Sequence, residues 1–153
     1  MPLVEELRPV KVSSKSRYAL LALVELDLCT RGSDQPVRLT DLAHRRGIPE
    51  QFLEQLFATL RRAGLLAGRR GVGGGFIFAR RPDQVTVLDV VHALDGALEL
   101  GVCTPGECAL EERAGAGAVW LAAGSAYEDV LARTTIAELA EHELELGGPM
   151  YEI

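Results

Sequence analysis

Long apolar runs are missing from this 153-residue chain. No stretch approaches the roughly 20 apolar residues that a membrane-spanning helix needs, so no membrane partner is expected. Cysteine is scarce, at three residues. The opening MPLVEELRPVKV carries two acids and no apolar segment of the secretory type. An odd, small cysteine count without an export signal argues against a disulfide scaffold, and a cytoplasmic location is expected. Glycine and proline, 16 and 7 residues, are too few for disorder throughout. Positive charge is the most unevenly distributed property. Residues 82–153 hold two Lys/Arg against fourteen Asp/Glu, whereas residues 1–81 hold fourteen against eight, so formal charges of −12 and +6 make up the net −6. The first half suits a polyanion; the second half is repelled by one.

The apolar content, 48% of residues, is enough for a proper core. SSKSRYALLALVELDLC (13–29) offers serines as an N-cap and then an unbroken apolar run, Ala19 to Val24. It predicts a helix that is apolar nearly all round and therefore buried. After the turn-rich RGSDQP (31–36), Thr40 can cap a short helix over 41–46, and Gly47 can end it. Pro49 suits the first turn of the next helix, which runs to Arg62. In that helix Phe52, Leu53, Leu56, Phe57 and Leu60 share one face, and Gln51, Glu54, Gln55, Arg61 and Arg62 look elsewhere. Two helices joined by so short a turn form a helix-turn-helix, a unit that also occurs in plain bundles.

The stretch RRGVGGGFIF (69–78) decides between them. A phosphate-binding loop runs from a strand into a helix and carries Gly-Lys-Ser/Thr. This one runs into an aromatic, β-branched strand and lacks that ending. A β-hairpin fits, with glycines supplying the turn, and a hairpin after a helix-turn-helix is a wing. Glycine lets the tip approach a DNA backbone, and Arg69, Arg70, Arg80 and Arg81 are candidate phosphate contacts.

Thr86 can cap a further helix over 85–98, and a Gly/Pro loop (99–109) then holds Cys103 and Cys108. A long helix is expected over 110–132, where Ala116, Val119, Ala123, Ala126 and Val130 form a heptad-like seam of small residues. Thr135 can cap a last short helix, and the end of the chain is expected to fray. The organisation expected is thus mainly α with a small β-hairpin wing. A winged helix-turn-helix occupies 11–84, a sensor loop and dimerisation helices 85–140, and a flexible tail 141–153.

SSKSRYALLALVEL, VRLTDLAHRRGIPEQFLEQLFATLRRAGLL, RRGVGGGFIFARRPDQVTVLDVVHALDG and TTIAEL together resemble the IscR/NsrR-type family of bacterial transcription regulators. The resemblance implies a winged helix-turn-helix homodimer whose long C-terminal helix forms the seam. It implies that each half of a palindromic operator in double-stranded DNA is read by Gln51, Phe52, Glu54 and Gln55. Gln and Glu suit adenine and cytosine edges respectively. It also implies that Lys15, Arg17, Arg61 and Arg70 meet backbone or groove; Arg62, with Arg69, Gly71 and Gly73 of the hairpin, are further candidate DNA contacts. In the family the cysteine loop often holds an iron–sulfur cluster, which makes Cys103 and Cys108 candidate ligands of a [2Fe–2S] centre. Here the sequence departs from the sensing members. The third cysteine position holds Ala114, a histidine position holds Gly117, and the carboxylate position of the first helix holds the cation Arg17.

Three readings of the pair stay open. They are a cluster completed by Glu107, His92 or a partner-chain residue, a thiol/disulfide or persulfide switch, and a vestigial loop. A thiol oxidoreductase is disfavoured, because C-x4-C lacks the C-x-x-C spacing and has no nearby base. A winged helix that binds protein rather than DNA is the remaining alternative. Cys29 reads as a small core residue, His44 as solvent-facing, and His142 as a tail residue without a role.

Overall fold

In a computed structural model, residues 12–96 and 115–147 are described. Helix α1 (Ser14–Thr30) is capped by Ser13, whose Oγ accepts the Ser16 amide. Its Ala19, Ala22, Leu23 and Leu26 are fully buried, whereas Leu21 of the same apolar run is 42% exposed, so the helix keeps one open face. Against it pack α2 (Leu39–Arg46) and α3 (Glu50–Arg62).

Helix α2 starts earlier than Thr40 suggests. The Asp41 and Leu42 amides donate to the Arg38 carbonyl at 3.1 and 3.2 Å, so Arg38 is the N-cap and Thr40 lies inside the helix without capping it. Gly47 closes the helix in the left-handed region, φ 64° and ψ 35°, and lets the Ile48 amide return to the Ala43 carbonyl at 2.9 Å. Pro49 stands at the N-cap of α3, one place ahead of its expected position. The turn is therefore three residues, and buried Ile48 pins it to the core.

The hairpin follows directly. Strands β1 (Leu66–Arg69) and β2 (Gly75–Phe78) pair antiparallel, with Leu66 opposite Phe78 and Gly68 opposite Phe76. Phe76 also exchanges both backbone hydrogen bonds with Val37, at 2.8 and 2.9 Å, and its ring meets Phe57 edge-on at 5.1 Å. One residue thus ties the hairpin to the segment before α2 and to the buried face of α3.

Helix α4 (Val87–Asp95), shorter than expected, and α6 (Ile136–Glu145) begin with capping boxes, Thr86/Asp89 and Thr135/Glu138. Their starts are bridged: the Val87 amide donates to the Thr134 carbonyl and the Ile136 amide to the Val85 carbonyl, at 2.8 and 2.9 Å. Val85, Val90 and Ile136 join the same core as α1 and α3. Residues 141–145, assigned from sequence to the tail, are the last turns of α6. Helix α5 (Gly115–Arg133) is exposed along most of its length. Val119, Ala123, Ala126 and Val130 of the expected seam are uncovered, as are Trp120 and Leu121.

Charge finishes the assembly. Glu25 of α1 is fully buried and takes Arg46 Nε at 2.8 Å and Arg45 Nη1 at 3.2 Å, both from α2. Arg46, only 11% exposed, continues to Glu143 of α6, whose Oε1 lies 2.7 Å from its Nη2. That last contact is a charge contact rather than an aligned hydrogen bond. A second chain runs from buried Asp27 through Arg31 (3.0 Å) to Glu141 (2.6 Å). Both chains join α1 to α6. Removing one partner of a buried pair leaves an uncompensated charge. Arg46→Ala is expected to destabilise the fold by about 3 kcal/mol, read as a shift in urea midpoint. Arg81→Ala, which breaks only the exposed pair with Asp83, is expected to cost under about 1 kcal/mol.

Candidate nucleic-acid interface

The outward face of α3 carries Gln51, Glu54, Gln55, Arg61 and Arg62, all exposed, because the opposite face is held in the core by Leu53, Leu56, Phe57 and Leu60. Phe52 lies between these faces. Its half-buried ring meets Tyr18 edge-on at 5.7 Å and 88°. This contact sets the start of α1, with Lys15 and Arg17 exposed upon it, beside the first turn of α3. The start of α1 is itself fixed, since Ser13 and Ser16 both donate their hydroxyls to Asp95 of α4, at 2.5 and 2.6 Å.

At the other end of α3, Arg61 lies against the hairpin. A side-chain carbon on Gly68 would sit 3.6 Å from Arg61 Nη1. Beyond it Arg69, Arg70, Gly71 and Gly73 are all exposed. One run of the molecule therefore reads α1 start, α3 face, hairpin tip.

Among the described residues no ion pair involves Lys15, Arg17, Arg61, Arg62, Arg69 or Arg70. Most of the other described arginines are used internally; Arg133, exposed at the end of α5, has no ion pair among the described residues and donates only to the Asp129 carbonyl. Arg31, Arg45 and Arg46 serve the α1–α2–α6 network. Arg80 and Arg81, expected at phosphates, turn instead to Asp89 and Asp83, and Arg80 also donates to the Gln84 carbonyl at 2.7 Å. Arg38, which the sequence reading passed over, joins the unpaired set: it is exposed at the N-cap of α2. Its signal in the sequence was a lone cation just ahead of a helix start, hidden by the assignment of Thr40 as the cap.

Cys103, Cys108, Glu107 and Ala114 lie outside the described residues. Within them, no group of three His, Cys, Asp or Glu side chains is placed to hold a metal. Arg17 brings a cation where a carboxylate ligand would be needed, Gly117 brings no side chain, and His92 stands exposed on α4. The described donors do not compose a cluster site. Cys29 is not a core residue. It is half-buried at the end of α1, where Arg45 Nη1 donates to its Sγ at 3.0 Å and its thiol lies 3.5 Å from Glu25 Oε1. Burial pushes its pKa up, with the neighbouring Glu25 adding to the rise and Arg45 opposing it. His44 is solvent-facing as expected, and His142 sits on α6, 3.8 Å from Glu145.

A short helix-turn-helix, a hairpin braced against its second helix and a run of unpaired cations across both define a winged-helix protein of the regulator class. The comparisons with known proteins agree. Residues 12–142 match the model of the Rrf2 family, described as an iron-dependent transcriptional regulator. The HTH-type transcriptional regulator IscR of Erwinia tasmaniensis is 35% identical, over 88% of this chain and 81% of its own. CymR of Bacillus subtilis, also an HTH-type transcriptional regulator, is 32% identical over 87% and 91%. Among solved structures, CymR (YrzC), the global cysteine regulator of B. subtilis, superposes with a TM-score of 0.73 at 32% identity, covering 88% of this chain and 98% of that one. IscR of T. potens gives 0.72 at 32% identity, covering 94% of both. The chain belongs to the Rrf2 family of transcriptional regulators.

The surroundings of Cys29 generate a test. With Cys103 and Cys108 replaced by serine, alkylation by iodoacetamide is expected to have its pH midpoint above that of an ordinary thiol. Arg45→Ala is expected to move it higher still, since the guanidinium favours the thiolate. A midpoint at or below the ordinary value would show the opposite balance.

Proposed function

We propose that this chain acts in the cytoplasm as a homodimeric, sequence-specific DNA-binding regulator of a palindromic operator. The observation that carries this reading is the sorting of the arginines. Those facing α6 and the acidic side chains are neutralised, and those along the α1 start, α3 and the hairpin are not. Among the described residues, a polyanion would find most of its free counter-charges there, with Arg133 at the end of α5 standing apart. Gln51, Glu54 and Gln55 then face the base edges of the major groove, with Phe52 held by Tyr18 at the border of that surface. Lys15, Arg17, Arg38, Arg61, Arg62, Arg69 and Arg70 take phosphates, and Gly71 and Gly73 allow the hairpin tip to come close.

The uncovered apolar side chains of α5 support dimerisation. Val119, Trp120, Leu121 and Val130 are each more than half exposed in the single chain, and contiguous exposed apolar surface marks an association site. A two-fold seam there presents two reading helices to two half-sites. The signal enters through the loop of Cys103 and Cys108, as a cluster completed by further ligands or as a thiol switch.

Binding to duplexes enriched from a random pool tests the reading. The logarithm of affinity should fall steeply and linearly with the logarithm of salt concentration. Arg70→Ala should reduce that slope by about one, and Gln55→Ala should cost about 1–3 kcal/mol at a single base position. A protein that enriches no duplex is not a DNA-binding regulator. Visible spectra of protein purified without oxygen separate the signals. Charge-transfer bands lost in Cys103→Ala indicate a cluster, and a colourless wild type indicates thiol chemistry or none.

A further inference from the structure

The hairpin tip carries one side chain that the charge pattern leaves unexplained. Val72 has a relative exposure of 106%, against 38–74% for the other exposed large apolar side chains described. Its neighbours are Gly71 and Gly73, both in the left-handed region at φ 93° and 77°. The Gly74 amide closes the turn on the Gly71 carbonyl at 3.0 Å. A Cβ on Gly74 would collide with the Arg69 and Gly71 carbonyls, and one on Gly75 with the Val37 backbone. The apex is therefore a narrow blade of bare backbone with a single isopropyl group on its edge. It is also held in place: Phe76, one residue beyond the blade, is bonded to Val37 and meets Phe57 of α3 edge-on.

A blade of this width does not suit the broad major groove, which α3 fills in the proposed function. It suits the minor groove, about 6 Å across, whose sugar walls are apolar. Arg69 and Arg70 stand at its root, exposed and without ion pairs among the described residues, ready for the flanking phosphates. On the groove floor, A·T pairs offer only acceptors, whereas G·C pairs raise an amino group from guanine. An isopropyl group pressed there strips water from either floor, but the amino group stands higher in the groove, so it is met directly and left as a desolvated donor, while the A·T acceptors lie deeper.

We propose that Val72 is a specificity residue. It enters the minor groove beside each half-site and selects against pairs that carry a purine 2-amino group. The wing would thereby read composition through an apolar contact, apart from any hydrogen bond made by α3. The inference rests on the DNA-binding reading above.

The test uses the full-length protein and duplexes enriched from a random pool, with the wing-protected positions located by hydroxyl-radical footprinting. Adenines there are replaced by 2,6-diaminopurine, which adds the 2-amino group and leaves the major-groove edge intact. Wild type should lose about tenfold in affinity, the scale of one disfavoured pair. Val72→Gly removes the side chain, and Val72→Thr keeps its volume and branching while supplying a hydroxyl acceptor. Both should lose less than about twofold, a gap set by the same scale. Thermal melts should match wild type, because nothing in the fold covers this side chain. A wild type indifferent to diaminopurine, or either variant keeping the wild-type ratio, overturns the inference while leaving the effects of Gln55→Ala and Arg70→Ala in place. Failure to enrich any duplex removes the DNA-binding reading itself.

Discussion

Glu25 is the charge around which this molecule is arranged. A carboxylate with no exposed surface in the central helix is tolerable only if cations come to it, and two arrive from α2. That requirement fixes the roll of α2 on α1. The three-residue turn after Gly47 then leaves α3 little freedom in where it starts. Because Arg46 is itself nearly buried, it needs a second anion, which α6 supplies through Glu143. The position of the reading helix and the docking of the last helix are two ends of one electrostatic chain.

The same chain explains how a protein of net charge −6 can offer a cationic face. Acidic residues of the second half are not spread evenly over the surface. Glu141 and Glu143 are spent on Arg31 and Arg46, and Asp89 on Arg80. Each such pair removes a positive charge from the side that faces α4 and α6. Apart from Arg133 on α5, the cations that remain unpaired among the described residues are gathered along the starts of α1 and α2, the outer face of α3 and the hairpin.

Much of this was legible in the sequence, for physical reasons that can be named. The core of α1 is a run of apolar residues too continuous for any surface helix, and the hairpin follows from glycines placed where only positive φ closes the turn. Thr86 and Thr135 announce their helices because a hydroxyl followed three residues later by an acid satisfies two amides at once. The failures were of a different kind. Thr40 looked like a cap, yet the Arg38 carbonyl did the closing. Arg80 and Arg81, candidate phosphate ligands, pair in this structure with acids that lie within nine residues along the chain. Cys29 looked like core and turned out to sit beside Arg45. Asp89 and Arg45 are brought close by tertiary packing, which no local pattern encodes, whereas the Arg38 carbonyl and Asp83 lie two residues from Thr40 and Arg81 and were local signals. The last helix was expected over IAELAEHE (136–143) and runs two residues further, to Glu145, with Arg31 and Arg46 holding its later turns.

The bridge between the starts of α4 and α6 has a geometric corollary. Helix α5 leaves through Thr134, whose carbonyl is bonded to the first residue of α4, only nine positions after Phe78 ends the hairpin. Residues 79–86 thus run from the hairpin to a junction shared by α4 and the segment that follows α5. The long helix and the wing meet the rest of the fold at one hydrogen-bonded seam.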